Sequence, residues 1–301
     1  MADAQDNGGE ASASASSSGG GGNKKRPWVP PKFVQEALGH LPIVEDGQHP
    51  QKRFYRSRAH CNPLSHNDAF EYPPNPTAMD WSPLYPALAD PTVRFLDVGC
   101  GFGGLTVALS TLFPNKVVLA LEIRAKVCEF VRLRIQEMRK ESPPRAENAN
   151  VLKTNAMKYL PHFFHKGQLE KIFFCFPDPH FKVKNHRRRI VSERLLTEYA
   201  YLLADGGLLY AITDVEELHY WHVAKLTEHS SFERIPDEQL VGDVTVAAIT
   251  NETEEGKKVE RAKGQKFLCV FRRRPDAVVM EETKHSWPAW TGEEEGKEEE
   301  E

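Results

Sequence analysis

Two stretches of this sequence bring together residue types that can do chemistry. The first is Asp97-Val98-Gly99-Cys100-Gly101-Phe102-Gly103-Gly104, a turn nearly free of side chains between an acid and an apolar run. Such backbone lets a bound molecule approach closely. Glu122 ends the next apolar run, where a carboxylate can accept hydrogen bonds from a ribose diol. The second stretch is Phe176-Pro177-Asp178-Pro179-His180-Phe181-Lys182. Its two prolines restrict the backbone around Asp178 and hold a carboxylate at a strand end, as a base, an acceptor or a counter-charge. Lys182, Lys184, His186, Arg187, Arg188 and Arg189 follow it, and bases clustered beside a site mouth commonly meet phosphate.

The elements that must position these residues can be read from periodicity. Val93–Val98 is a buried-strand pattern stopped by glycines, and 105–112 is a short helix ended before Pro114. Lys116–Leu121 is a second strand, and Ala125–Lys140 a helix with Val127, Phe130, Val131, Ile135 and Met138 on one face. Residues 150–154 and 171–176 are strands, 191–203 a helix ended by Gly206-Gly207, 208–213 a strand, 216–228 a helix and 267–271 a late strand. Alternation of this kind predicts a doubly wound, mostly parallel α/β sheet, whose ligands sit at the strand carboxyl ends. Residues 1–26 are expected to be a disordered Gly/Ser/Ala-rich tail and 27–92 an irregular lead-in packed on the catalytic domain. The domain itself spans 93–275, and 276–301 is an acidic disordered tail.

The glycine loop fits two templates. Gly99-x-Gly101-x-x-Gly104 matches the dinucleotide fingerprint, and Asp97-x-Gly99-x-Gly101-x-Gly103 matches the loop of S-adenosylmethionine (SAM) methyltransferases. The loop alone leaves an NAD-dependent oxidoreductase and a methyltransferase both open. The neighbourhood of Asp178 weighs toward the second, because an NAD enzyme has no need of an Arg/Lys run beside its cofactor.

Charge is divided along the chain. The whole carries −4, but the segments 1–23 and 281–301 hold −10 between them, so residues 24–280 carry +6. A basic middle is compatible with a nucleic-acid partner. Arg56, Arg58 and His60 stand among Phe54 and Tyr55, and Arg272-Arg273-Arg274 closes the domain; bases beside aromatics suit an RNA backbone and unstacked bases. No apolar run has the length of a membrane span, and no apolar leader opens the chain. Cys61, Cys100, Cys128, Cys175 and Cys269 are scattered without a CxxC pair, so neither a disulfide framework nor a metal site is expected.

The combination of motifs resembles the tRNA (guanine-N7-)-methyltransferase family in its eukaryotic catalytic-subunit form. The matching stretches are Tyr55-Arg56-Ser57-Arg58-Ala59-His60, Met79-Asp80-Trp81, Asp97 to Gly104, and Leu121-Glu122-Ile123-Arg124. They continue with Asn155-Ala156-Met157-Lys158, Phe176 to Lys182, Thr213-Asp214-Val215 and Thr253-Glu254-Glu255-Gly256-Lys257-Lys258. The resemblance implies a seven-stranded, Rossmann-like class I methyltransferase fold, SAM as donor, and the variable-loop guanosine of tRNA, position 46, as acceptor. Methylation of guanosine N7 in another RNA would use the same residues. By position, the resemblance puts Gly99, Gly101, Glu122, Ile123, Arg124, Asn155, Ala156 and Cys175 around SAM. Thr253 and Glu255 would close over it from a late loop, and Asp178 would be the catalytic acid residue. RNA contacts are expected from Arg56, Arg58, His60, Lys182, Arg187, Arg188 and Arg189. The family form also implies a heterodimer with a non-catalytic WD-repeat propeller subunit and a nuclear location, with Lys24-Lys25-Arg26 a short basic cluster compatible with import.

Overall fold

The structure is a computed structural model that describes residues 47–58, 61–65 and 70–284. The Gly/Ser/Ala-rich tail over 1–26, the RNA contact expected at His60 and the end of the acidic tail lie outside the described residues.

Apolar runs buried on both faces build the centre of a sheet. β1 (Val93–Val98), β2 (Val117–Glu122), β3 (Ala149–Lys153), β4 (Leu169–Cys175) and β5 (Leu203–Thr213) run parallel. Of the last two strands, β6 (Phe232–Arg234) lies at the edge and β7 (Phe267–Arg273) inserts antiparallel between it and β5, giving the order β3-β2-β1-β4-β5-β7-β6. The sheet has seven strands and is mixed, parallel over five of them and antiparallel at one edge. The chain winds outward from β1 through β2 to β3, then returns to β4 on the other side of β1. That reversal opens a crevice above the carboxyl ends of β1 and β4.

Helices cover both faces. They are α1 (Gly104–Leu112), α2 (Ala125–Lys140), α3 (Ala156–Phe163), α4 (Glu193–Leu202), α5 (Glu216–Glu228), α6 (Val244–Asn251), α7 (Glu254–Arg261) and α8 (Asp276–Thr283). One core joins α3 and α4 to Leu96, Leu119, Ile172 and Leu209, and the other joins α1 and α2 to Phe95, Val118, Phe173 and Tyr210. The lead-in contributes to both. Tyr85 is fully buried in the first, its hydroxyl donating to the Val118 carbonyl at 2.9 Å, and Tyr55 lies in the second against Phe130.

Several sequence expectations are corrected. Gly206 and Gly207 do not end a helix; they lie inside β5, where the pairing jumps from Leu169↔Leu203 to Lys171↔Leu208. The extra residues form a bulge, and Gly206 takes the positive φ (+78°) that a bulge can require. The stretch from Thr253 is not a loop but the start of α7, with the Thr253 hydroxyl accepting from the Gly256 N–H at 2.9 Å as its N-cap. The segment expected to be an acidic tail from 276 begins with helix α8.

Gly104 is required by packing. A Cβ there would collide with the Glu252 carbonyl oxygen, a backbone atom ahead of α7. Gly104→Ala is therefore expected to push α7 off the glycine loop and cost on the order of 1–3 kcal/mol, read as a drop of several degrees in Tm. A melting curve superimposable on the wild type would show instead that the α6–α7 segment yields freely.

Candidate active site

Strand ends deliver most residues of the site. After β1 the chain turns through Gly99, Gly101 and Gly103, at φ of +75°, +55° and +75°. The Gly99 and Cys100 amides both donate to the Leu121 carbonyl, at 2.9 and 3.1 Å, which fastens the loop to the end of β2. A Cβ on Gly99 or Gly101 would meet no atom within 4 Å. The protein therefore leaves space above those two residues that a ligand can fill, in contrast to Gly103 and Gly104, which neighbouring residues crowd.

Glu122 ends β2 and is buried. Its carboxylate accepts from the Arg124 backbone N–H (2.9 Å), from Arg124 Nε (3.0 Å) and, through Oε2, from Arg124 Nη2 (2.7 Å). Arg124 in turn stands at the N-cap of α2. After β3 come Thr154 and Asn155. The Asn155 side chain caps α3 by accepting from the Met157 N–H at 3.0 Å, while its Nδ2 donates to the Pro63 carbonyl at 2.6 Å and draws the lead-in over the site. After β4 come Phe176, Pro177, Asp178 and Pro179. Phe176 and His180 both have left-handed backbone, φ +52° and +46°, a conformation strained for residues with side chains. The His180 N–H donates to Asp178 Oδ1 at 3.3 Å, and the ring Nδ1 stands 3.7 Å from Oδ2.

These strand ends enclose a cavity of about 210 Å³. It brings together Gly99, Glu122, Ile123, Arg124, Asn155, Ala156, Cys175 and Asp178 from the sequence expectation. Gly101, Thr253 and Glu255 do not line it. The Thr253 hydroxyl is spent on its cap, and Glu255 faces outward toward Lys258. Glu254, between them, is the residue that reaches the loop: its Oε2 accepts from the Gly104 N–H at 3.3 Å and its Oε1 pairs with Lys52 at 2.9 Å. Thr154, His180 and Ile190, none of them expected from the sequence, also line the cavity, and so does Arg188, expected only as an RNA contact. Thr154 is buried and its Oγ1 has no hydrogen-bond partner among the described residues, so a polar ligand group is the natural complement. A hydroxyl just past a strand end was the available signal.

The electrostatics separate the acids from the thiols. Burial pushes the thiols of Cys100 and Cys175 far above their usual range, so neither offers a thiolate. Burial also pushes the Asp97 carboxyl up to about 7, against the hydrogen bond from Thr106 Oγ1 at 2.7 Å that lowers it; the carboxylates of Glu254 and Glu122 add to the rise. With a folded-state value above the ordinary 3.8, the folded chain holds this proton more tightly than the unfolded chain does. Stability contributed by Asp97 therefore declines as pH rises from about 4 to about 7, and is level above that. Asp97→Asn keeps an acceptor for Thr106 and is expected to raise Tm near pH 8 while leaving it close to wild type near pH 4.5. Parallel Tm–pH profiles for the two proteins would refute this.

The basic residues divide. Arg56, Arg58, Lys182 and Arg187 are exposed. Arg188 lines the cavity, and its buried Nε has no partner among the described residues. Arg189, expected to meet RNA, is buried at 2% exposure and takes internal partners, so that expectation is corrected. The Arg272-Arg273-Arg274 patch is likewise spent within the protein. Arg272 pairs with Glu233, Arg273 with Asp205 and Asp276, and Arg274 with Glu282.

Comparison with known proteins bears on what this cavity serves. Residues 91–269 match a family model described as "Putative methyltransferase". A tRNA (guanine-N(7)-)-methyltransferase of Bombyx mori is 52% identical over 229 residues, spanning 75% of this chain and 97% of that protein. The chain belongs to the tRNA (guanine-N(7)-)-methyltransferase family. Other members are as similar: a B form from Xenopus tropicalis is 53% identical over 234 residues (75% of this chain, 97% of that one). One from Candida glabrata is 52% identical over 240 residues (77% and 84%). As a tRNA (guanine-N(7)-)-methyltransferase family protein, the chain uses S-adenosylmethionine rather than a nicotinamide cofactor, so of the two templates the Gly99–Gly104 spacing fits, the dinucleotide one is set aside.

Proposed function

We propose that this protein is the catalytic subunit of a SAM-dependent tRNA methyltransferase acting on N7 of guanosine 46 in the variable loop. The observation that carries this reading is one cavity lined, at adjacent strand ends, by Glu122, by Thr154, whose buried hydroxyl has no hydrogen-bond partner among the described residues, by Gly99 with open space over it, and by Asp178.

The residues fit the cofactor. Glu122 is positioned to accept from a ribose diol, Ile123 to flank the adenine, and Gly99 and Asn155 to bring backbone and a capped helix start close. SAM supplies an electrophilic methyl group activated by its sulfonium. The chain then has little covalent work to do, because guanine N7 carries an in-plane lone pair and needs no deprotonation. Alkylation leaves positive charge on the guanine imidazole ring. Asp178, fixed between two prolines, accepts from the N–H edge of the base and offsets that charge as it develops. No thiolate is called for, consistent with the protonated state of Cys100 and Cys175.

The acceptor must leave its stack in folded tRNA, at a cost of a few kcal/mol. Arg56, Arg58, Lys182 and Arg187 offer exposed phosphate contacts that offset it, and Arg188 adds positive charge at the cavity wall. The same reading includes a WD-repeat propeller subunit holding the distal tRNA, and a nuclear location. Transfer of labelled methyl from SAM to a tRNA transcript, followed by chemical cleavage at N7-methylguanosine, tests the reading directly. A single cleavage in the variable loop supports it. Label confined to another RNA, or absent with the propeller subunit present, overturns it.

A further inference from the structure

Among the bases of the 182–189 run, Arg189 alone is buried. A guanidinium removed from water is costly unless its donors and its faces are met. Here three groups meet it. Nε donates to the Pro179 carbonyl at 2.9 Å, Nη2 donates to Glu217 Oε1 at 2.8 Å, and the guanidinium lies over the Trp221 ring, 4.6 Å from its centroid. Glu217 and Trp221 are four residues apart on α5 and so share a face. Trp221 is itself fixed, its Nε1 donating to the Val191 carbonyl at 2.7 Å and its ring meeting the edge of His186. The guanidinium holds the exposed Glu217 carboxyl below its usual range.

The Pro179 carbonyl is the useful end of this arrangement. Pro177 and Pro179 have no N–H, so the segment carrying Asp178 has few backbone donors of its own. Its near end is tied by the Phe176 N–H to the Ile212 carbonyl at 2.8 Å, and its far end by Arg189. The segment is bounded by two left-handed residues, Phe176 and His180, a conformation that persists only when the surroundings hold it. The geometry points to Arg189 as a positioning residue for methyl transfer, clamping the Pro179 carbonyl to helix α5 and thereby fixing the aim of the Asp178 carboxylate. This rests on Asp178 being the group that faces the guanine. A lysine cannot replace it, because one ammonium lacks the planar fork that serves a carbonyl, a carboxylate and a ring at once.

The test uses the full chain with the propeller subunit, a tRNA transcript and labelled SAM. At saturating substrates, Arg189→Lys is expected to lower kcat by about 10- to 100-fold, the effect of displacing a reacting group by roughly 1 Å. The KM for tRNA, its salt dependence and the affinity for S-adenosylhomocysteine should stay within about twofold of wild type. Arg187→Ala supplies the contrast: its loss should appear in the KM for tRNA, with a log–log salt slope shallower by about 1. Glu217→Gln removes only the exposed end of the clamp. It should lower kcat in the same direction by a smaller factor, and less than multiplicatively when combined with Arg189→Lys. A raised tRNA KM with kcat intact in Arg189→Lys would make Arg189 an RNA contact and overturn the proposal. So would wild-type kcat per folded molecule in both variants, whatever their melting temperatures. Should Arg189→Lys fail to fold, Glu217→Gln decides alone, and wild-type kcat in it is fatal. A wild-type enzyme that methylates no tRNA would remove the functional reading underneath, a result separable from all of these.

Discussion

Asp178→Ala enzyme is expected to bind S-adenosylhomocysteine and tRNA about as well as the wild type, and to transfer methyl on the order of 10²- to 10³-fold more slowly. The binding half follows from where Asp178 sits. It lies on an irregular loop beyond β4, and the cofactor's proposed partners, Glu122, Ile123 and Asn155, belong to the end of β2, the turn after it and the start of α3. The rate half follows from the chemistry. With N7 already nucleophilic, the protein's contribution is alignment and a counter-charge that grows in value as the ring becomes cationic. Only an interaction stronger in the transition state than in the bound substrate raises kcat. Asp178→Asn separates the two roles, since it keeps an acceptor for the base edge and removes the charge; it should fall between alanine and wild type. Single-turnover rates with binding measured separately decide the matter. Near-normal turnover in Asp178→Ala would remove this carboxylate from the chemistry.

Glu122→Gln is expected to weaken S-adenosylhomocysteine binding by roughly 10²-fold or more, with little change in the rate of transfer once the site is saturated. Hydrogen bonds to a charged acceptor are each worth about 1.5–3 kcal/mol, and a ribose diol offers two. The glutamine variant loses the charge but retains one acceptor. Glu122→Ala would do more, because the Arg124 guanidinium now held by both carboxylate oxygens would be left half-buried and unpaired. It should therefore melt several degrees lower as well as bind poorly. Calorimetric titration with S-adenosylhomocysteine measures the first effect and thermal denaturation the second. A glutamine variant with wild-type affinity would mean that the ribose is held elsewhere.

What can be read from the sequence depends on how each residue earns its place. β1, β2 and β4 are buried on both faces, so continuous apolar runs announce them, and the glycines and acids at their ends mark the site. α7 escapes such a reading because it is strongly hydrophilic and buries only Gly256 and Val259; its N-cap and its contact with the glycine loop support it rather than an apolar stripe. α6 is short, and β6 has three residues, too few for any period to show. In the basic run the residue type carries no information about direction. Arg187 and Arg189 read alike in sequence, yet one is exposed and the other is buried against Trp221, a partner on a distant helix. At the start of α7 the family resemblance points to Thr253 and Glu255, while Glu254 between them makes the contact with the Gly104 N–H. Thr154 is marked in sequence only as a hydroxyl at a strand end; the fold shows that the residue lines the cavity and that its buried Oγ1 has no hydrogen-bond partner among the described residues.

The lead-in has a practical consequence for anyone trimming this protein. The family match begins at residue 91, which invites a cut there. Tyr55 and Tyr85 lie upstream of that point, one in the core on each side of the sheet, and the Pro63 carbonyl holds the Asn155 side chain that caps α3. A fragment starting at 91 would open both hydrophobic layers and remove the Cys61 and Pro63 wall of the cavity in a single step. The stretch covered by the family match is thus shorter than the stretch that folds, and expression boundaries should be set by the tyrosines rather than by the match.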